Sequence, residues 1–208
     1  MNVDWDAWNV GDRPKYPHEK VVQWVFRNYP QESRASSQAL DMGCGSGVHT
    51  VFLADEGFAV TAVDVSAVGI ANTRRRLADR SLHADLMVSP AESVLLTPRS
   101  FALAVCVGVL ECLSLPAATE TVEKVAAALR DGGKALFLFP SDRDFRMKAD
   151  NPLQLRGSTR DDVDVMFGQR FARVWVDRYI TTYEGGAIEQ NDWLVTTEAG
   201  APGGRMTS

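Results

Sequence analysis

The sequence predicts a doubly wound α/β fold, a mostly parallel sheet with helices on both faces. Three observations predict it. Short apolar runs bounded by turn residues alternate with helix-period stretches as far as Phe139. The first of these runs empties into Asp41-Met-Gly43-Cys-Gly45-Ser-Gly47, a turn too rich in glycine to be a plain connection. Residues 101–110 carry no charged side chain, as a central parallel strand buried on both faces requires. Strand and helix in alternation, with right-handed crossovers, give one parallel sheet covered on both sides.

In chain order, residues 1–18 hold Trp5, Trp8, Tyr16 and His18 among Gly11, Pro14 and Pro17. So many aromatics in a turn-rich lead-in must be covered, either as a lid over the mouth of the glycine loop or by packing on the first helix. That helix is expected from Pro17-His18-Glu19 to about Tyr29, with Val21, Val22, Val25 and Phe26 at helical spacing and Pro30 as its stop. A polar loop, 31–38, leads to the first strand. The helix after the glycine loop is expected over 48–55, closed by Gly57, and 58–64 is a buried strand.

The glycine loop is built to hold a small cofactor. Glycines at every second position allow φ > 0 and a close approach of backbone to ligand, with free N–H groups of the helix start facing it. The dinucleotide pattern G-x-G-x-x-G needs a glycine at 48, where Val48 stands, and a P-loop needs Gly-Lys-Ser/Thr, where Val48-His49-Thr50 follows. A carboxylate at the strand tip, Asp41, repels a pyrophosphate and favours a ligand carrying an ammonium group. Asp64 lies about 20 residues beyond Gly43, where βαβ units place an acid to accept hydrogen bonds from a ribose diol. Its other reading is a cap on the helix expected from Ser66 to about Ala78.

Asp41, Gly43, Gly45, Gly47 and Asp64, with the strand-helix rhythm through Phe139, give the chain a clear likeness. It resembles the class I S-adenosylmethionine-dependent methyltransferases over roughly the middle half of the chain. The resemblance implies S-adenosyl-L-methionine as cofactor, held by Asp41, Gly43, Cys44, Gly45, Gly47, Asp64 and Val65. It also implies that Gly108 and Val109 lie beneath the cofactor and Glu111 near the methyl-transfer site. In the family the turn after the third strand, 86–88, often carries an aspartate for the adenine amino group. Here that position is Pro90, so the backbone of Ala91 or the carboxylate of Glu92 is expected to substitute. Where relatives show Phe-Asp and Glu-His around the fourth strand, this chain has Phe101-Ala102 and Glu111-Cys112.

Residues 119–130 read as a helix with the stripe Val122, Val125, Ala126 and Leu129, ended by Gly132-Gly133, and 134–139 as the fifth strand. The chain then turns polar, with Phe145, Arg146 and Met147 as possible pocket residues. Residues 158–162 look like the start of a helix over 163–168. Residues 171–183 and 188–197 form a hairpin across Gly185-Gly186, and the resemblance places it as the antiparallel edge of a seven-stranded sheet. The expected organisation is a lid segment and helix over 1–30, the Rossmann-like domain over 31–198, and a flexible tail over 199–208.

Bulk composition narrows the partners. The chain has 208 residues, 45% apolar and 24% charged, with a formal charge of -5, which fits one globular domain and argues against a nucleic-acid footprint. Cys44, Cys106 and Cys112 lack C-x-x-C spacing and read as reduced thiols of a cytoplasmic protein rather than a disulfide frame or zinc site. No apolar run approaches a membrane span, and the acidic N-terminus is unlike a signal peptide. The expected state is a monomer or homodimer without membrane, nucleic-acid or metal partners.

Methyl transfer from a sulfonium is an in-line displacement that depends on orientation and water exclusion. A base is needed only for a hydroxyl or protonated amine acceptor. His18 is the first candidate and Glu111 the second, ahead of His49 and His83. The expectation is transfer to O or N of a compact, partly apolar small molecule. The alternative is a noncatalytic module that keeps the cofactor fold to bind a partner.

Overall fold

A computed structural model describes residues 4–11, 14–147, 153–200 and 206–207. Five parallel strands come first: β1 (Gln38–Met42), β2 (Ala59–Asp64), β3 (Asp85–Val88), β4 (Phe101–Val107) and β5 (Leu129–Pro140). A hairpin, β6 (Arg173–Tyr183) and β7 (Ile188–Glu198), inserts β7 antiparallel between β5 and β6, so the seven strands run 3-2-1-4-5-7-6. The order reverses between β1 and β4, the place where open α/β sheets form a crevice at the strand ends.

Among the described residues seven α-helices flank the sheet: α1 (Trp5–Val10), α2 (Glu19–Asn28), α3 (Gln31–Arg34), α4 (Val48–Asp55), α5 (Ala67–Ala78), α6 (Leu115–Ala128) and α7 (Arg160–Phe167). Strand alternation divides the core in two. Leu40, Met42, Ala104, Cys106, Phe137 and Phe139 face Val122 and Val125 of α6 and Met166 and Phe167 of α7. Ala39, Leu103, Val105, Leu136 and Leu138 face Val21 and Val25 of α2 and Leu53 of α4. Both faces are apolar, as a sheet with helices on each side demands. Phe137 and Phe167 meet edge to face at 4.9 Å, a geometry worth about 0.5–1.5 kcal/mol beyond its burial.

Several elements differ from the expected bounds. The lead-in contains α1, capped by the Asp4 carboxylate accepting from the Ala7 N–H at 3.0 Å. Helix α6 begins at Leu115 behind the Ser114 cap and ends at Ala128. Gly132-Gly133 do not end it: they lie inside β5, at an irregularity opposite Phe101 and Leu103, with Gly132 at φ +70°. Strand β4 stops at Val107 because Gly108 turns the chain at φ +74°.

The expected flexible tail starts out paired, since the Ala199 N–H donates to Gly133 O at 2.7 Å. A two-residue strand, β8 (Met206–Thr207), then lies parallel to β6, outside the expected seven-stranded sheet and adding a short eighth strand at its edge. Residues 201–205 and 208 of that tail lie outside the described residues. Among the described residues no helix is long and apolar enough to cross a membrane.

Candidate active site

The loop after β1 takes the shape its glycines allow, and the three glycines serve different ends. Gly43, Gly45 and Gly47 sit at φ +76°, +52° and +82°. A Cβ on Gly43 would lie 2.1 Å from Val109 Cγ2, and one on Gly47 would lie 2.5 Å from Thr73 Oγ1. These two glycines let the loop pack on its neighbours. A Cβ on Gly45 would meet nothing closer than Asn9 Oδ1 at 3.7 Å. A Cβ on Gly45 would therefore sit at ordinary contact distance from Asn9 of α1, and it is the left-handed φ of +52° that calls for glycine there.

Asp64, at the end of β2, closes the side of this cradle. Its Oδ2 accepts from the Gly45 N–H at 2.6 Å and its Oδ1 from the Ser66 N–H at 2.8 Å. Each carboxylate oxygen keeps a second acceptor site, so a vicinal diol fits without displacing either bond. Burial raises the Asp64 pKa, while the Ser66 and Gly45 N–H groups oppose the rise. Val65 beside it is half exposed, offering an apolar wall next to the acid. Ser66 caps α5 by accepting from the Gly69 N–H at 2.9 Å.

Asp41 is placed otherwise than expected. It points inward beneath the loop, 1% exposed, and accepts from Thr50 Oγ1 of α4 at 2.6 Å. Alternation along β1 explains this: Leu40 and Met42 face α6, which leaves Asp41 on the α4 side. Burial pushes its pKa up to about 7, with the Asp64 charge adding to the rise and Thr50 opposing it. The expected direct contact with a ligand's ammonium is thus corrected to an indirect one. Asp41 ties the loop to α4 and adds negative potential from behind. Cys44 is buried in the same loop, its thiol 4.0 Å from Thr73 Oγ1.

Around the turn after β3, Ala91 packs on the core and the Ser89 N–H donates to Asp64 O at 2.9 Å. Glu92 shares a surface groove with Glu120, Glu123, Lys124 and Ala127 of α6. Val65 and Val88 are exposed large apolar side chains on the same edge, at the ends of β2 and β3.

At the end of β4, the ideal Cβ position of Gly108 lies 3.8 Å from Glu111 Oε1, so the bare glycine and the carboxyl share one wall of the crevice. Glu111 is 5% exposed, and its Oε2 is buried with no hydrogen-bond partner among the described residues. Such an orphan costs about 1–3 kcal/mol or more, and a catalytic role is one physical reason for keeping it. Burial pushes the Glu111 pKa up to about 7; Arg146 opposes the rise and Asp192 adds to it.

His18 arrives from the lead-in. Its backbone N–H donates to His49 Nε2 at 3.1 Å, and its ring meets Tyr179 edge on at 5.5 Å. Its Nδ1 accepts from the Lys20 N–H at 3.1 Å, capping α2. A neutral imidazole with an accepting Nδ1 carries its proton on Nε2. His18 therefore offers a donor rather than a base, which corrects its expected role. Burial lowers its pKa, against the charges of Asp192 and Glu19. His49 is held neutral, its pKa pushed down to about 4 by burial and by His18.

Helix α1 lies over the loop. Asp6 Oδ1 accepts from Ser66 Oγ at 2.6 Å and from the Val68 N–H at 3.2 Å, and Asn72 Nδ2 donates to Asn9 O at 2.8 Å. The lead-in thus packs on α5 and the glycine loop rather than on α2.

Sequence reasoning missed Asp144 and Asp192. Asp144 is fully buried and accepts from Arg146 Nε and Nη2 at 2.6 and 3.0 Å and from the Asn191 N–H at 2.7 Å. Asp192 accepts from Arg146 Nη2 at 2.5 Å and from Gln190 Nε2 at 2.7 Å. No signal in the sequence singled them out, because Asn191 and Asp192 follow Glu189 and Gln190 in the polar first half of β7. Among the described residues no group of three or more His, Cys, Asp or Glu is arranged to hold a metal ion.

Residues 39–133 match the family model described as a methyltransferase domain. A ubiquinone biosynthesis O-methyltransferase of Azoarcus sp. strain BH72 is 30% identical over 113 residues, covering 54% of this chain and 47% of that protein. The chain spans about half the length of the first curated relatives it matches, 47% and 48%. A chain solved in a study of the conversion of a disulfide bond into a thioacetal group during echinomycin biosynthesis superposes with a TM-score of 0.73. It is 20% identical and covers 96% of this chain and 91% of its own. Magnesium protoporphyrin IX methyltransferase of Synechocystis PCC 6803, solved with bound S-adenosylhomocysteine, gives a TM-score of 0.71 at 12% identity, covering 95% of this chain and 94% of its own. These two likenesses establish the fold.

Proposed function

We propose that the chain, whose residues 39–133 match a methyltransferase domain model, is a class I S-adenosylmethionine-dependent methyltransferase that methylates a small molecule at nitrogen or oxygen. The observation that carries this reading is the Asp64 carboxylate at the end of β2, which holds the Gly45 N–H of the glycine loop at 2.6 Å. It fits a nucleoside: the two carboxylate oxygens are paired acceptors for a ribose diol. Val65, Val88 and the Ala91 backbone serve the adenine, and Gly43, Cys44, Gly47 and Gly108 shape the floor.

When bound, S-adenosylmethionine supplies the methyl group, which passes to the acceptor's lone pair as the carbon–sulfur pair returns to sulfur. The chain's own residues do the rest. Helix α1 covers the loop as a lid and excludes water, and orientation of this kind supplies on the order of 7–11 kcal/mol of the barrier. The Asp64 carboxylate favours a cationic ligand over a diphosphate. Glu111 takes the acceptor's proton through its unpartnered Oε2. His18 Nε2–H orients the acceptor from the opposite wall.

A thermal-shift titration tests the reading. S-adenosylmethionine and S-adenosylhomocysteine at millimolar concentration are expected to raise the melting temperature by several degrees, with NAD giving no shift. A shift with NAD alone would overturn the assignment. Cofactor binding without methyl transfer to any of a broad panel of amines and phenols would favour a noncatalytic binding module instead.

A further inference from the structure

Building on the methyltransferase reading, we propose that Ser66 is a positioning residue that ties the ribose acid Asp64 to helix α1, so that cofactor binding and docking of α1 strengthen each other. Ser66 is 2% exposed and stands between the two. Its backbone N–H donates to Asp64 Oδ1 at 2.8 Å, and its hydroxyl donates to Asp6 Oδ1 of α1 at 2.6 Å. The hydroxyl also accepts from the Gly69 N–H at 2.9 Å, so one oxygen both caps α5 and receives α1. The other Asp64 oxygen holds the Gly45 N–H at 2.6 Å. Hydrogen bonds therefore run without a break from Gly45 through Asp64 and Ser66 to Asp6.

Helix α1 is suited to be a two-state element. Its six residues are too few to hold a helix alone, so its order depends on docking. Asp6 Oδ1 accepts from the Val68 N–H at 3.2 Å as well as from Ser66, and Asn9 O accepts from Asn72 Nδ2 at 2.8 Å. The Ser66 hydroxyl and the Val68 N–H lower the Asp6 pKa, which keeps it an ionised acceptor at the positive end of α5. The seat itself is built into the sequence. Glycine inside a helix is unfavourable, yet α5 carries Gly69, where a Cβ would lie 2.8 Å from Gly45 O and 3.1 Å from Asn9 Nδ2. At Gly69 the glycine loop, α5 and α1 meet.

Coupling follows from which groups are ordered together. A ribose diol donating to Asp64 fixes the carboxylate, and with it the Ser66 N–H and the start of α5. The Ser66 hydroxyl is then already in place for Asp6, and docking α1 costs less ordering. By reciprocity, a docked α1 holds Ser66 in place for the cofactor by the same factor. Four substitutions at two positions separate this link from the ordinary helix cap. Ser66→Thr keeps the cap and the proton given to Asp6. Ser66→Asp keeps the cap but has no proton to give. Asp6→Asn keeps an acceptor oxygen, and Asp6→Ala removes it.

The test is hydrogen exchange of the segment 4–11 in the full chain, followed by mass spectrometry with and without saturating S-adenosylhomocysteine. Affinity by calorimetry and the melting temperature are measured for every variant. In the parent chain the ligand is expected to slow exchange of this segment about fivefold or more. Ser66→Thr and Asp6→Asn should keep that slowing. Ser66→Asp and Asp6→Ala should abolish it and weaken S-adenosylhomocysteine binding by about the same factor, with melting temperatures close to that of the parent chain. Exchange that ignores a bound ligand, slowing that persists in Ser66→Asp or Asp6→Ala, or slowing lost equally in Ser66→Thr would overturn the coupling while leaving the cofactor reading intact. Failure of S-adenosylhomocysteine to bind the parent chain would overturn both.

Discussion

The carboxylate of Asp64 holds the N–H of Gly45 at 2.6 Å, across the gap between the first two strands of the sheet. The bond fixes the loop glycine whose Cβ position has Asn9 Oδ1 of α1 as its neighbour, 3.7 Å away. Replacing Asp64 by Ala removes this anchor and the acceptors for the ribose together. Charge-assisted hydrogen bonds contribute about 1.5–3 kcal/mol each, so cofactor affinity is expected to fall by about 10- to 100-fold, measured by calorimetry. Unchanged affinity would remove Asp64 from the site.

The glycines separate packing from binding. Gly47→Ala drives a methyl group into Thr73 at a left-handed φ and is expected to cost about 1–3 kcal/mol of stability. For a chain of this size that lowers the melting temperature by about 2–4 °C per kcal/mol. Gly45→Ala meets only Asn9 Oδ1, at an ordinary contact distance of 3.7 Å, so its damage should fall on cofactor affinity more than on melting temperature.

Glu111 should set the pH profile. With its pKa near 7, kcat/KM is expected to rise with pH through about 7 as the base ionises. Glu111→Gln should flatten that rise and lower the rate by about 10²–10⁴-fold. A profile that keeps its inflection in the variant would assign the base elsewhere.

The same shift acts on stability in the opposite sense. A folded pKa raised above the ordinary carboxyl value means that the native state binds the proton more tightly than the unfolded chain. Stability is therefore lost as pH rises from about 4.5 to about 7. The difference in melting temperature between Glu111→Gln and the parent chain is expected to shift in favour of the variant between pH 5 and pH 8. A constant difference would contradict the burial of an ionisable group at this position.

The N-terminal helix makes a further prediction. Asp6 fastens α1 to Ser66 and the Val68 N–H. Asp6→Ala should raise the cofactor dissociation rate in stopped-flow measurements while leaving the melting temperature close to that of the parent chain. Equal dissociation rates would mean that α1 does not gate the crevice.

Much of this architecture was legible in the sequence because its strands and helices carry strong periodicity. Helix α4 and the hairpin fell where the pattern put them. Helix α1 was hidden because six residues are too few to show a period, and its stability comes from bonds to α5. Gly132-Gly133 read as a helix end because a helix cap and a strand irregularity use glycine for the same left-handed backbone. The inward turn of Asp41 was present in the parity of Leu40 and Met42, yet parity matters only once the neighbouring helix is placed. Asp144 and Asp192 meet through Arg146 from segments far apart in the chain, and no local pattern announces such a meeting.

Calorimetric titration of the chain with S-adenosylmethionine, beside Gly45→Ala under the same conditions, tests the central claim most directly. The account predicts saturable one-to-one binding with a dissociation constant between about 1 μM and 1 mM, weakened at least tenfold by the added methyl group. No heat of binding at millimolar ligand, or equal binding to the variant, would contradict it.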